Sequence, residues 1–354
     1  MIESTADGQV VRRVVSVVVP VFGNQETLAE TLSQVLAVRD ASFPHLGLEL
    51  VFVDDGSPDG SWAEMRRLST SHPGQVTLVK LSRNFGQLSA ILAGYQVARG
   101  DAVITISADL QDPPALMANM VRDWESGHDV VVAHRSGRHD GGASALFSRV
   151  AYGFARRANP RIPKGGFDYL LLSRRAMELI RSFHGRHRFF QGDVLWLGLP
   201  TTFIPYERRK RLQGSSGWTI GRKFTYFVDL VLDSSYIPIR LMTLVGVLTA
   251  ILGVVYAVII GVAWLWNATP FAGYAAIMIT LLLLGGVIMT MLGVVGEYLW
   301  RIADDIKARP LYIVEQVDMS VGNDVPARVN GMDNELSDPA RLPHEKELAN
   351  AHDR

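Results

Sequence analysis

From Val14 to Tyr206 the chain alternates short apolar runs with segments of helical periodicity. Val14–Val21, Leu48–Asp54, Gln75–Leu81, Ala102–Ser107 and Asp129–His134 are mostly solid apolar runs rich in valine and isoleucine. That pattern predicts strands buried on both faces of a largely parallel sheet. Gln25–Val38, Ser61–Ser71, Gln87–Arg99 and Pro114–Ser126 lie between or after them and predict helices, the last opened by Pro113-Pro114, which suits a first helical turn. Strands alternating with helices predict an α/β doubly wound domain, in which ligands bind beyond the carboxyl ends of the strands.

The pattern changes after Tyr206. Glu207-Arg208-Arg209-Lys210-Arg211 is strongly basic, and Gly221–Tyr236 carries Phe224, Phe227, Val228 and Val231 along a predicted amphipathic helix that would lie in a membrane interface. From Leu241 to Gly296 there is no Asp, Glu, Lys or Arg. Leu241–Trp264 and Tyr274–Gly296 are each long enough to cross a bilayer of ~30 Å, and Asn267-Ala268-Thr269-Pro270 breaks them into a hairpin with Trp264 and Trp266 at the turn. Arg208 to Lys223 and Arg240 precede the spans, and Arg301, Lys307 and Arg309 follow them, so both flanks are expected in the cytoplasm. From about Val317 the tail is polar and aperiodic, which predicts disorder. The expected organisation is an N-terminal tail over 1–13, a catalytic domain over 14–206, a basic segment and interfacial helix over 207–240, two transmembrane helices over 241–300, and a cytoplasmic, partly disordered tail over 301–354.

Bulk composition adds little by itself. Lys and Arg number 35 and so do Asp and Glu, so no global field points to nucleic acid. The absence of Cys excludes disulfides, zinc–thiolate sites and thiol nucleophiles. Met1 to Arg13 lacks the apolar core of a signal peptide, so the first domain is expected to stay in the cytoplasm.

Candidate chemistry gathers at the predicted strand ends. Asp54-Asp55-Gly56-Ser57 reads either as a turn or as carboxylates placed to bind a base or ribose. Asp109, Gln111 and Asp112 follow the fourth strand. Oxygen ligands at alternate positions of an extended segment can share one hard cation, Mg²⁺ or Mn²⁺, which would neutralise a nucleotide-sugar diphosphate. Asp109 suits a ligand, whereas Asp112 suits an N-cap of the following helix. Ser82-Arg83-Asn84-Phe85-Gly86-Gln87 opens a helix with an Arg and backbone amides that favour phosphate. The arginines of 208–211 read as a topogenic flank or as a clamp on a phosphate at the membrane surface. Asp168, in Gly165-Gly166-Phe167-Asp168-Tyr169, reads as a cap or turn, or as a carboxylate orienting an acceptor. His184, His187 and the other histidines show no metal-ligand spacing.

Taken together, Val17-Val18-Val19-Pro20-Val21-Phe22, Asp54-Asp55-Gly56-Ser57, Ser82-Arg83-Asn84-Phe85-Gly86 and Ala108-Asp109-Leu110-Gln111-Asp112-Pro113-Pro114 resemble the family 2 glycosyltransferases of GT-A fold. The branch is that similar to dolichol-phosphate mannose synthase and the bacterial polyprenyl-phosphate glycosyltransferases with two C-terminal membrane spans. The resemblance runs from about Val14 to Tyr312. It implies a GT-A Rossmann-like catalytic domain, an interfacial helix and a two-helix transmembrane hairpin. It implies an inverting transfer of sugar from a nucleotide-sugar donor to polyprenyl (undecaprenyl) phosphate at the cytoplasmic face of the inner membrane. Pro20, Asn24, Asp54, Asp55, Arg83 and Asn84 would then serve the donor, with Asp109 and Gln111 binding metal and diphosphate. Asp168 falls where relatives place an acceptor-loop acid proposed as a base, and Arg208, Arg211 and Ser215 fall in the segment that holds the diphosphate or lipid phosphate. Relatives oligomerise through their spans, which implies a homo-oligomer.

Two departures stand out: Ser107 occupies the first position of the usual Asp-x-Asp, and Val21-Phe22-Gly23-Asn24-Gln25 replaces the commoner Tyr-Asn-Glu run. Two other readings are a processive polysaccharide synthase, whose Gln-x-x-Arg-Trp motif is missing here, and an inactive nucleotide-binding membrane scaffold.

Overall fold

The computed structural model describes residues 12–135, 161–163, 167–183, 185, 188–207, 237–265 and 274–319. The five predicted strands form as β1 (Val14–Val21), β2 (Gly47–Asp54), β3 (Val76–Leu81), β4 (Ala102–Thr105) and β5 (Val130–Arg135). The predicted helices form as α1 (Leu28–Ser42), α2 (Ser61–Ser71), α3 (Gln87–Val97) and α4 (Leu116–Glu125). Helix α1 starts later than its apolar pattern suggests because Gln25 is drawn into a loop contact: its Oε1 accepts from Gly60 N at 3.1 Å, and its own N donates to Asp59 Oδ2 at 3.3 Å.

Three further strands, β6 (Tyr169–Ser173), β7 (Thr201–Tyr206) and β8 (Val314–Asp318), complete an eight-stranded sheet in the order β7-β5-β6-β4-β1-β2-β3-β8. The β3-β2-β1-β4 half is parallel, as the solid apolar runs predict. The outer half is mixed, since β6 runs antiparallel to both β4 and β5, while β7 is parallel to β5. Strand β8 lies antiparallel on β3, so Val317 and Asp318 belong to the sheet rather than to the predicted tail. It covers the backbone groups that β3 would otherwise present as an open edge.

The sheet is a middle layer. On one face Val15, Val17, Val19, Leu50 and Phe52 pack with Leu28 and Leu32 of α1, Met65 of α2 and Met117 of α4. On the other, Val18, Val51, Val53 and Val79 meet Ala90, Ile91 and Tyr95 of α3. The same face takes Met177 and Ile180 of α5 (Arg174–Ser182) and Val194 and Leu195 of α6 (Phe190–Trp196). Gly94 allows the close approach of α3, because a Cβ there would lie 2.3 Å from Val18 Cγ1. At the amino ends of the strands, Glu49 is 1% exposed. It accepts from Ser16 Oγ at 2.5 Å and from Arg99 Nε and N at 2.9 and 2.8 Å. A buried carboxylate persists only with such partners.

Two long helices follow, α7 (Ile237–Leu265) and α8 (Tyr274–Ile306). They pack together at Gly246, where a Cβ would come within 3.0 Å of Met291 Cε. Among the described residues Leu284–Ile306 is long and apolar enough to cross a membrane, and Met242–Tyr256 is a shorter apolar stretch. The expected pair of spans is therefore met by one candidate span and one shorter apolar stretch. The predicted interfacial helix over 221–236 lies outside the described residues.

Candidate active site

Because β1, β2, β3 and β4 are parallel, their carboxyl ends share one rim, and the predicted donor residues gather there. Asp55 N donates to Val21 O at 2.9 Å, which ties the loop after β2 to the end of β1. The Asp55 carboxylate accepts from Phe85 N at 2.7 Å and from Gly86 N at 2.9 Å, holding down the loop before α3. Gly56, between these loops, has φ +67° and no room for a side chain, since a Cβ would sit 2.6 Å from the Arg83 carbonyl carbon. Asp54 Oδ1 accepts from Ser57 N at 3.0 Å, the contact that the turn reading requires. Burial raises the pKa of both carboxyls above the ordinary value. Hydrogen bonds from Ser57 oppose the rise at Asp54, and the amides of Phe85 and Gly86 oppose it at Asp55.

Asn24 Oδ1 accepts from Phe22 N at 3.1 Å and its N donates to Ser61 Oγ at 3.0 Å, so the turn after Pro20 is braced against α2. Phe22 itself is half exposed at this rim. The Arg83 guanidinium lies over the Phe85 ring at 4.1 Å and donates to Asn84 O at 3.3 Å, leaving Arg83 and Asn84 exposed beside the Asp55 loop.

The segment after β4 departs from the extended conformation expected of it. Leu110 has φ 57°, a left-handed turn unusual for a branched residue, and its side chain is buried. The turn directs Gln111 N back onto Asp109 Oδ1 at 3.2 Å. Ser107 Oγ lies 2.8 Å from Asp109 Oδ1 and 2.8 Å from Asp112 Oδ2. The expected capping role of Asp112 is not observed, because α4 begins four residues later behind Ala115, without a side-chain cap. Instead Asp112 is buried and accepts from Tyr206 Oη at 2.6 Å through Oδ1.

Sequence reasoning passed over Tyr206 and Arg135, the last residues of β7 and β5. Arg135 Nη2 is 3.6 Å from Asp168 Oδ2, with Asp168 half exposed just ahead of β6. Gln191 Nε2 donates to Asp168 Oδ1 at 3.5 Å. The cap reading of Asp168 fails, since α5 is capped by Ser173 Oγ accepting from Ala176 N. Burial alone would lower the Arg135 pKa, but Asp168, Tyr206 and Asp112 outweigh it and raise the value. Burial and the neighbouring Asp112 carboxylate push the Tyr206 hydroxyl well up. Position at a strand's carboxyl end was the available signal for both residues. Arg208, Arg211 and Ser215 lie outside the described residues.

The atoms around Asp109 suit a hard cation. The oxygens beside its carboxylate are the Ser107 hydroxyl and, through it, the Asp112 carboxylate, with Gln111 next along the turn, and among the described residues no three His, Cys, Asp or Glu side chains form a metal cluster. A Mg²⁺-like ion is typically held by one or two carboxylates, with phosphate and water oxygens completing its shell. Asp109 with Gln111 therefore fits an ion that arrives with a diphosphate, rather than one caged by protein alone.

A model of glycosyl transferase family 2 matches residues 16–176, and a model of the GtrB C-terminal hairpin matches residues 237–302. The chain is 33% identical over 307 residues to an uncharacterised glycosyltransferase of Synechocystis sp., covering 85% of this chain and 95% of that protein. It is also 33% identical over 306 residues to the SfII prophage-derived bactoprenol glucosyl transferase of Shigella flexneri, covering 85% of this chain and 97% of that protein. Among solved structures, glucosyl-3-phosphoglycerate synthase from Mycobacterium tuberculosis is similar with a TM-score of 0.47 and 18% identity, over 63% of this chain and 80% of that one.

Proposed function

The chain belongs to the family 2 glycosyltransferases, and from that premise we propose that it transfers a sugar from a nucleotide-sugar donor to a polyprenyl phosphate at the cytoplasmic face of the inner membrane. The observation that carries the reading is one chain joining a strand-end rim of donor-type residues to a segment that matches the GtrB C-terminal hairpin, with a relative covered over 97% of its own length named for bactoprenol. The hairpin crosses the bilayer twice, through α7 and α8, and keeps the rim near the membrane surface, where the acceptor's phosphate reaches it while the polyprenyl tail stays in lipid. An assembly of several copies would form through these helices.

In this reading Pro20, Asn24, Asp54 and Asp55 line the nucleoside pocket, and Arg83 and Asn84 stand at its open side. Asp109 and Gln111 hold the diphosphate end of the donor. Bound there, Mg²⁺ or Mn²⁺ would supply neutralisation of the departing diphosphate. The acceptor phosphate is anionic at neutral pH, so it requires little deprotonation. Asp168, held by Arg135 and Gln191, would then chiefly orient the acceptor, and Arg208, Arg211 and Ser215 would clamp the lipid phosphate or the diphosphate. In-line attack by the phosphate oxygen on the anomeric carbon inverts its configuration as the diphosphate leaves. Positioning and electrostatics supply the rate.

The test is transfer by the full chain in detergent, with undecaprenyl phosphate, a panel of nucleotide sugars and either cation, the glycolipid being read by mass spectrometry. One lipid-linked product that disappears with EDTA is expected. Asp109→Asn should lower the rate by roughly 10²–10³-fold. Transfer at the wild-type rate by that variant would sink the assignment, and a growing polymer would favour the processive reading.

A further inference from the structure

Ser107 stands where the family's first metal-motif carboxylate is expected, and its surroundings assign it a different task. Its hydroxyl lies 2.8 Å from Asp109 Oδ1 and 2.8 Å from Asp112 Oδ2, between two carboxylates. Asp112 is pinned from its other oxygen by Tyr206 Oη at 2.6 Å. Tyr206 is itself wedged edge-on against Tyr169, with ring centroids 6.0 Å apart, and Tyr169 Oη donates to Pro113 O at 3.2 Å. A chain of hydroxyl donors therefore runs from the end of β7 through the buried Asp112 to Asp109. An Asp at position 107 could not donate and would bring three carboxylates together, which is unfavourable unless a cation is present.

We propose that Ser107 is a positioning residue, acting as a hydroxyl bridge, not a cation ligand, that fixes the Asp109 carboxylate through Asp112 and Tyr206. The inference rests on the reading of Asp109 as the residue that meets the cation and diphosphate. A serine has one hydroxyl proton, so it serves Asp109 and Asp112 one at a time. Tyr206 supplies Asp112 with an independent donor, which leaves the Ser107 proton for Asp109. Asp109 Oδ1 then accepts from both Ser107 and Gln111 N, two donors that together fix the orientation of the carboxylate. This chain would thus preorganise with neutral donors what an acidic pair achieves by charge.

The test measures Mn²⁺ binding directly, by electron paramagnetic resonance of free Mn²⁺, on the full chain in detergent with UDP and, separately, GDP. Ser107→Ala should weaken Mn²⁺ binding about ten-fold, the weight of one hydrogen bond to a charged group. Ser107→Thr, which keeps the hydroxyl, should stay within about two-fold of wild type, and Tyr206→Phe should fall between the two. In transfer assays the Mn²⁺ concentration for half-maximal rate should rise in step, with kcat at saturating Mn²⁺ changing less than about three-fold.

If Ser107→Ala binds Mn²⁺ like wild type, or if Ser107→Thr fails as Ser107→Ala does, the bridge is wrong. A loss confined to Ser107→Ala, with Tyr206→Phe unchanged, would make the hydroxyl a direct ligand and also overturn it. If the wild-type chain binds no Mn²⁺ with either nucleotide, the assignment of Asp109 fails first and the bridge falls with it.

Discussion

Gly56 should be the least replaceable glycine at the rim, and the reason can be worked out from two loops. Its φ of +67° is a left-handed conformation, which costs an ordinary residue about 1–2 kcal/mol. A Cβ there would also lie 2.6 Å from the Arg83 carbonyl carbon, 2.7 Å from Asn84 N and 2.9 Å from Arg83 Cα, all of them backbone atoms. Backbone cannot rotate away as a flexible side chain can, so the two loops must part by close to an ångström. That displacement stretches the Asp55 bonds to Phe85 N and Gly86 N, now 2.7 and 2.9 Å. Each bond to a charged acceptor contributes about 1.5–3 kcal/mol. Gly56→Ala should therefore cost about 3–5 kcal/mol in all. Gly23→Ala is the control: its φ is +69°, but nothing lies within 4 Å of the added Cβ, so only the conformational cost applies. In thermal unfolding followed by tryptophan fluorescence, Gly56→Ala should melt about 10 °C below wild type and Gly23→Ala about 3–5 °C below. The donor KM should rise for Gly56→Ala, because Asp55 would lose its hold on the loop before α3. Equal melting temperatures for the two variants would refute the argument, since they share the backbone strain and differ only in the clash.

Other outcomes follow from the same contacts. Glu49→Ala removes the acceptor for Ser16 Oγ, Arg99 Nε and Arg99 N, so unfolding should come about 3–5 kcal/mol more easily, with kcat of the folded protein unchanged, because Glu49 sits at the amino ends of the strands. Asp54→Asn keeps an acceptor for Ser57 N while removing a charge that burial disfavours. Since the folded pKa of Asp54 is raised, its favourable contribution is complete below the ordinary value of 3.8 and is lost as pH rises through the raised value. Melting curves should accordingly show Asp54→Asn more stable than wild type at pH 7, with the gap narrowing at about pH 4. Ending the chain after Tyr312 deletes β8 and should lower the melting temperature sharply. Glu315→Gln alone should change stability by under about 1 kcal/mol, because the Lys80–Glu315 pair is solvent-exposed.

The sequence announces β1 to β5 because each is buried on both sides and therefore nearly solid in apolar residues. It is quieter about β7, an edge strand that is half exposed and tolerates Pro205 because an edge needs fewer backbone donors. It is quietest about β8, whose Val314-Glu315-Gln316-Val317-Asp318 is mostly exposed and reads as tail. Nothing local marks those five residues as a strand. Their pairing with β3 depends on a partner more than two hundred residues earlier, as the Lys80–Glu315 contact shows with a separation of 235.

The same distinction divides the candidate site. The place of Asp54, Asp55, Asp109 and Gln111 at the rim was legible because each ends or follows a strand whose carboxyl end must reach it. The roles of Asp112 and Asp168 were not, because each is decided by a residue from a different element. Asp112 looks like a helix cap until Tyr206, 94 residues away, takes one of its oxygens. Asp168 looks like a turn residue until β5, lying alongside β6, brings Arg135 to it. Both deciding residues end strands on the β5–β7 side of the sheet, where the order is mixed and β7 pairs with β5 rather than with β6, the strand before it in the chain. The residues proposed to serve the donor are therefore written in local motifs, whereas the surroundings of Asp112 and Asp168 are assembled by topology. Arg135→Ala should on this account raise the KM for polyprenyl phosphate in initial-rate assays and leave the donor KM within about two-fold of wild type, whereas Tyr206→Phe should act on Mn²⁺ binding.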